Sequence, residues 1–432
     1  MIRDFENKKK LRTNIIFYYY IVVFIIQVLW VNLSNFPPLS LRLGMIVATF
    51  LPLFFNKEFI PFVFIIAFYI RDLSITPFGY LPDSDSWYFY VPILFLLLFF
   101  TKTMIVIDKY NKILLYLFAY SLVIDLLMKG VIGDVSLSLF YGLTLYAFIK
   151  NKNDIKLLGF AFVFSAIILS IYLYVFKDFL EIAVNHGNNE RSFWVDPNFF
   201  TTEIALGYIV SLLYLTKLVE VKNSFIIKTI LYISLPLIFY AILISASRTG
   251  FILIVFITIL CVLISKNKHI HKFLFVIFLF LIVYILYENG YFSTIIYRLL
   301  GSDDVKTGAG RTVIWKIFYQ NFINLSFLHL IFGNGYENVV KIAGNRYLHN
   351  DLLGTLNNGG LLGVILYIGF FFRFIWQSII HNRFKLVLVV TLSYFITSLT
   401  LCNSYNVYYW MFILWGLAIM KYTNYSKKEI II

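Results

Sequence analysis

The sequence predicts an all-α polytopic membrane protein of about 12–14 transmembrane helices, with one large extracytoplasmic loop containing short and interfacial helices. Three observations predict it. The chain is 61% apolar and only 13% charged, against roughly 45–50% and about 25% in soluble proteins. Apolar runs long enough to cross a hydrocarbon core of about 30 Å recur from one end to the other. Lys and Arg gather in alternate connections between those runs. Together these exclude a string of soluble domains, and residues 1–432 read as a single integral membrane domain.

Taken in order, the apolar spans fall near 15–31, 40–55, 59–71, 88–101, 112–128, 133–149, 157–176, 199–216, 225–244, 250–265, 272–287, 359–378, 386–401 and 405–420. The short third and fourth runs, and the breaks at Pro52 and Pro61, leave the count between twelve and fourteen. Met1 to Asn14 is basic and precedes an apolar run, as in a signal peptide. No small-residue cleavage site follows, so the run is expected to be a retained first span.

With both termini placed in the cytoplasm, 23 of the 36 Lys and Arg residues lie on the cytoplasmic side. Arg373 lies within a span, and the remaining 12, including Arg191, Arg248 and Arg311, lie outside. They run against the bias and need a local reason. The net charge of +14 would suggest nucleic-acid binding in a soluble protein. Here it marks one membrane side, and no nucleic-acid partner is expected. Cys261 and Cys402 fall toward opposite faces, so neither a disulfide nor a thiolate metal site is expected.

Residues 288–358 form the large outer loop module and carry half of the twelve outside cations. Within it, Thr312 to Phe332 is apolar with Lys316, Gln320, Asn321 and Asn324 interspersed, as expected of a helix lying on the membrane surface. A smaller outer loop runs from Lys177 to Asn198.

Four places could carry chemistry. The apolar run from Phe225 to Leu263 would span about 58 Å as one helix, so it must fold back, and Ser245-Ala246-Ser247-Arg248-Thr249-Gly250 is the plausible turn. That pins Arg248 at the outer interface, either snorkelling to headgroups or binding lipid phosphate. Gly308-Ala309-Gly310-Arg311-Thr312 brings flexible backbone, a helix N-terminus and a cation together, which favours an anion but also describes an ordinary loop tip. His349 precedes Asn350 and Asp351, either of which could cap a helix. Neutral imidazole there is a candidate general base; the alternative is a structural hydrogen bond. Asp196-Pro197-Asn198 reads as a helix start, yet Arg191 upstream and Glu203 two turns into the membrane could line a polar cleft. Asp125 is expected to be a buried partner of some hydroxyl. His269 and His271, among Lys266, Lys268 and Lys272, read as solvated charge.

The order Ser-Ala-Ser-Arg-Thr-Gly at 245–250, Gly-Ala-Gly-Arg at 308–311 with Trp315 after it, Phe332-Gly333-Asn334-Gly335, and His349-Asn350 resembles the O-antigen ligase and polymerase superfamily. Nine residues separate Asn350 from Gly360 and two more separate it from Gly363, similar to the histidine motif of the ligases. Asp196-Pro197-Asn198 is similar to a pattern frequent among the polymerases. The resemblance covers roughly residues 190–365, and the first 180 match only as generic spans.

The resemblance implies a metal-independent, inverting glycosyltransferase without cofactor, on the outer face of the bacterial cytoplasmic (inner) membrane. Its donor would be a glycan on undecaprenyl diphosphate rather than a nucleotide sugar. Carried over by motif, Arg248 and Arg311 would hold the diphosphate and His349 would be the catalytic histidine; Arg191, Asp196, Asn198, Glu203 and Asn350, read from their own positions, are the candidate substrate-binding residues. Membrane lipid, a chain-length regulator and a flippase are the further partners expected. The Asp-Pro-Asn pattern favours a polymerase of repeat units over a ligase acting on lipid A core. A lipid-linked sugar flippase would share the spans but would not need the histidine-bearing outer loop.

The topology makes a prediction. A cysteine introduced near Lys306 is expected to react with an impermeant maleimide from the outer side of the inner membrane. Reaction only after the cytoplasmic side is opened would reverse the orientation.

Overall fold

In a bilayer every backbone N–H and C=O must find a partner within the protein, and a helix satisfies them within one segment. Helices are accordingly the regular elements of the computed structural model, which describes residues 108–129, 133–175, 197–220, 225–245, 247–296, 299, 311–335, 348–401 and 406–428, with isolated positions at 19, 22, 23, 51, 60, 62 and 63. They are α1 (Lys112–Lys129), α2 (Asp134–Phe148), α3 (Lys152–Val175), α4 (Pro197–Leu215), α5 (Phe225–Ile244), α6 (Arg248–Ile264), α7 (His269–Glu288), the short α8 (Ser293–Ile296), α9 (Arg311–Phe322), α10 (Phe327–Phe332), α11 (Asp351–Ile380), α12 (Phe384–Ser398) and α13 (Val407–Lys428). Among them Lys152–Ile171, Phe225–Ile244, His269–Glu288 and Asp351–Ile380 are long and apolar enough to cross a membrane. Shorter apolar helices such as Arg248–Ile264 and Val407–Tyr422 accompany them. The protein is an all-α, multi-pass membrane protein.

Of the fourteen expected spans, the last ten coincide with α1–α7 and α11–α13. The first four, and with them the retained first span, lie outside the described residues apart from isolated positions. Cys402 lies outside them too, while Cys261 is a buried free thiol. One expectation is corrected. The segment 312–332 is not one surface helix: Ser326 starts a second helix, its Oγ accepting from the His329 N–H. Ile314, Phe318 and Phe322 are buried with Leu348 in a small apolar cluster, so one face is covered by protein. Helix α11 opens at Asp351 behind the expected cap and is broken at Gly360 (φ 58°, ψ −161°), beside the expected start of the twelfth span at 359.

The ten long helices alternate in direction. One end of the bundle gathers Lys109, Lys150, Lys217, Lys266, Arg383 and Lys421, and the other gathers the start of α6 at Arg248 and the start of α11. These are called the basic end and the Arg248 end below. Helix α4 lies at the centre, against α3, α5, α6 and α13. Gly207 permits the α3 approach, since a Cβ there would lie 2.6 Å from the Phe162 carbonyl oxygen. Helix α13 packs on α2 and α3 with Trp410 and Trp415 fully buried, and Trp415 Nε1 donates to the Ile155 carbonyl at 2.9 Å. Asp125 is, as expected, a buried partner of hydroxyls: its carboxylate accepts from Ser136 Oγ at 2.6 Å and from the Gly133 N–H at 3.0 Å, at the start of α2.

The basic end is closed by Asp108. Its carboxylate meets Lys421 Nζ at 2.8 Å and accepts from the Tyr146 hydroxyl at 2.9 Å and from the N–H groups of Tyr110 and Asn111 at 2.8 and 3.0 Å. Partial burial works to raise its pKa, but the hydrogen bonds, that of Lys421 foremost, outweigh burial and hold the carboxyl below its usual range. A depressed folded-state pKa contributes stability above the unfolded value, about 3.9, that is lost as pH falls through the folded one. Asp108→Asn is therefore expected to lower the unfolding temperature in detergent at pH 7. The gap to wild type should narrow only below about pH 4; a gap constant down to pH 3 would mean the carboxylate's charge contributes nothing.

Candidate functional site

The turn between α5 and α6 sets the first cation. Helix α5 ends at Ile244, and Ser247 caps α6 by accepting the Gly250 N–H on its Oγ at 3.2 Å. Arg248 is thus the first residue of α6, at an N-terminus whose unpaired N–H groups carry partial positive charge. The next two residues fix that terminus. Thr249 Oγ1 donates to Thr400 Oγ1 at 2.9 Å, just beyond α12, and Gly250 lies against Thr201 of α4, where a Cβ would come within 2.8 Å of it.

His349 stands immediately before a second capped terminus. Asn350 Oδ1 accepts the Leu353 N–H at 3.0 Å and starts α11. The histidine backbone is in the left-handed region, φ 48°, one of three non-glycine residues so placed among those described. On its other side the Leu348 carbonyl accepts from Trp315 Nε1 at 2.8 Å. Trp315 is one turn along α9 from Arg311, on the same helix face. Arg311 is the first residue of that helix, so a third helix N-terminus bearing an arginine is tied to the histidine segment.

Buried beneath is Asp351, 1% exposed. It accepts hydrogen bonds from the hydroxyls of Tyr367 and Tyr394, whose oxygens are 2.9 Å apart. Tyr394 belongs to the last turns of α12, and Thr400, which holds the α6 terminus, follows six residues later, about 9 Å along if helical. The starts of α6 and α11 are therefore pinned to the same end of α12.

The other end of the opening segment of α11 is fixed by the break at Gly360. A Cβ on Gly360 would collide with the Ile331 carbonyl, and one on Gly333 with the Asn358 carbonyl, so the two backbones touch at glycines, both with positive φ. The Asn334 N–H donates to the Asn357 carbonyl at 2.8 Å, the Gly335 N–H to the Asn358 carbonyl at 3.2 Å, and the Tyr120 hydroxyl to the Gly359 carbonyl at 2.7 Å. The Phe-Gly-Asn-Gly motif thus caps the helix that the histidine motif starts.

Of the other candidate residues, Glu203 is 6% exposed inside the bundle, where Asn406 Nδ2 donates to it at 3.4 Å. Asn350 acts as the cap. Helix α4 starts at Pro197, in keeping with the sequence-based start there. Arg191 and Asp196 lie outside the described residues, and Asn198 is placed only as part of the α4 backbone. The structure brings Arg248, Arg311 and His349 to one end through shared helix contacts, and Glu203 packs deeper from the same side.

Residues 233–368 match the O-antigen ligase family. The match agrees with the superfamily resemblance, and all three residues at the helix starts, together with both contact glycines, fall inside it. No curated protein matches the chain. Within the matching segment, sequence reading missed Tyr367 and the anchoring role of Asp351, and outside it Tyr120, Tyr394 and Thr400, the partner of Thr249. Single hydroxyls in apolar helices carry no spacing signal, and of these contacts only Asp351 and Thr249 stood beside or within a motif.

The glycine contact yields an expected outcome. Gly360→Ala combines a backbone collision with a backbone conformation open essentially to glycine alone, which costs an L-residue about 1–3 kcal/mol. The variant should unfold at lower temperature than Gly369→Ala, whose Cβ would meet nothing within 4 Å. Equal unfolding temperatures would show that the break is not held by backbone contact.

Proposed function

We propose that the protein is a glycosyltransferase that polymerises undecaprenyl-diphosphate-linked oligosaccharide repeat units of a surface polysaccharide on the outer face of the inner membrane. The observation carrying this reading is that two arginines and a histidine stand at three helix starts, those of α9 and α11 joined through Trp315 and that of α6 held at the same end of α12, inside the segment matching the O-antigen ligase family. A leaving diphosphate gains charge as the anomeric bond breaks. Fixed guanidiniums and helix N-termini stabilise that charge, each N-terminus a fixed dipole and each guanidinium a bidentate fork. His349 takes the proton from the attacking sugar hydroxyl as the new glycosidic bond forms with inversion. Asn350 fixes the backbone that presents it.

Ligation to lipid A core uses the same donor chemistry, and the match to the O-antigen ligase family is compatible with either reading. The lipopolysaccharide pattern of a deletion strain separates the two. Core bearing a single repeat unit is the polymerase result; bare core would replace it with the ligase.

Arg248→Ala and Arg311→Ala are expected to abolish long-chain product in cells that still make the protein, and lysine to restore it only in part, because a point charge cannot reproduce the bidentate fork. Full activity in either alanine variant removes that residue from the site.

His349→Ala should cost about 10²–10⁴-fold in turnover while leaving donor affinity nearly unchanged, since a base touches the acceptor hydroxyl rather than the diphosphate. Measured on purified protein with undecaprenyl-diphosphate glycan, a collapse of affinity with turnover intact would make His349 a binding residue. Glu203 and Asp196 would then be the next bases to test.

A further inference from the structure

Helix α7 does not lie against the bundle along its length. Phe275 is its one buried residue. Among the described residues its aromatic contacts with α5 and α6 form two clasps. Near the basic end, Phe275 and Phe278 pack on Tyr232 of α5, with ring centroids 6.3 and 5.6 Å away. Toward the Arg248 end, Phe292, just beyond α7, packs on Phe239 of α5 and Phe251 of α6 at 6.2 and 6.1 Å. Between the clasps the protein leaves a groove of about 470 Å³, walled by apolar side chains of α5, α6 and α7 including Val255, Ile259 and Phe280.

The groove meets a chamber of different chemistry. Val262 lines both, and the second cavity, of about 430 Å³ at the basic end, is lined by Lys217, Lys228, His271 and Lys272 together with Asn267 and the aromatic clasp. Among the described residues no Asp or Glu lines it. Glu220, close in sequence, is held by Lys266 at 3.0 Å, and neither belongs to the lining. Lys228 and Tyr232 are one turn apart on α5, as are His271 and Phe275 on α7, so a cationic layer lies directly over an aromatic layer. From Val262 to Phe251 the groove follows α6 for about 16 Å, roughly half the hydrocarbon core and hence the depth of one leaflet.

We propose that this slot binds one anionic glycerophospholipid, its phosphate in the Lys217–Lys228–Lys272 chamber and an acyl chain in the groove behind α7. The site is at the opposite end of α6 from Arg248. It is separate from the proposed catalytic arrangement and does not depend on it. The cations select the headgroup by charge, and the groove accepts a chain because bilayer chains would otherwise have to leave the space between the clasps empty.

The test uses the full chain in nanodiscs of equimolar phosphatidylglycerol and phosphatidylethanolamine, followed by extraction and counting of retained lipid by native mass spectrometry. Wild type should keep phosphatidylglycerol in preference. Lys217→Gln, Lys228→Gln and Lys272→Gln together should reduce that preference on the order of 10²-fold. Ile259→Trp, at a side chain exposed enough to tolerate the change, should lower retained lipid of both kinds by filling the groove. Undiminished phosphatidylglycerol in the triple variant overturns the proposal. So does thermal stabilisation by inorganic phosphate that the lysine substitutions abolish while Ile259→Trp leaves lipid retention unchanged, which would make the chamber a site for a soluble anion.

Discussion

A helix broken within a membrane protein leaves carbonyls that water cannot reach, and the whole Arg248 end depends on how this chain satisfies them. The break at Gly360 frees the carbonyls of residues 357, 358 and 359. Each has a donor: the Asn334 N–H, the Gly335 N–H and the Tyr120 hydroxyl. Two of the three come from one short strip of backbone, which can approach only because Gly333 and Gly360 have no side chains to separate them. From Tyr120, α1 continues nine residues to Lys129, about 13 Å. The break therefore lies well below the end of that helix, where an unmet carbonyl would be costly.

This constraint explains why motifs far apart in the chain occur together. The Phe-Gly-Asn-Gly strip caps the opening segment of α11 at its C-terminal side, and Asn350 caps it at its N-terminal side. Asp351 anchors the same segment laterally through Tyr367 and Tyr394. A buried carboxylate is tolerated when its oxygens are hydrogen-bonded, and in return it fixes the segment against both α11 and α12. The histidine is then carried by a helix held at its start, its middle face and its end. Trp315 extends the arrangement by attaching α9, and with it Arg311, to the residue just before the histidine.

Much of this architecture was legible in the sequence. Span positions from residue 112 onward followed from apolar length. The α5–α6 turn followed because no single helix could hold the run from Phe225 to Leu263, and Ser245 to Gly250 gathers its polar and turn-forming residues in one consecutive stretch near the middle. The helix starts at Arg248, Arg311 and Asp351 were each announced by a capping or glycine signal. What was hidden depends on contacts between distant segments. The opening turns of α11 contain Asn357, Asn358 and two glycines, a composition that reads as loop until the donors from residues 334–335 are known. The split between α9 and α10 was masked because apolar residues continue across it, and Ser326 alone marks the second start.

The backbone of His349 links the fold to the chemistry proposed for it. A left-handed conformation disfavours a histidine by about 1–2 kcal/mol, and it persists here because both neighbours are fixed, Leu348 by Trp315 and Asn350 by its capping bond. Such a residue cannot relax without releasing α9 or uncapping α11. For a general base that rigidity is useful: the proton must be taken at a set distance from a sugar hydroxyl, while the charge of the departing diphosphate is met elsewhere. Arg248 and Arg311 stand on different helices, and each helix is fixed by a different contact, Thr249 to Thr400 for one and Trp315 to Leu348 for the other. Positioning of the proposed base and of Arg311 therefore follows from the bonds at the start of the broken helix, and that of Arg248 from a separate bond at the same end of α12.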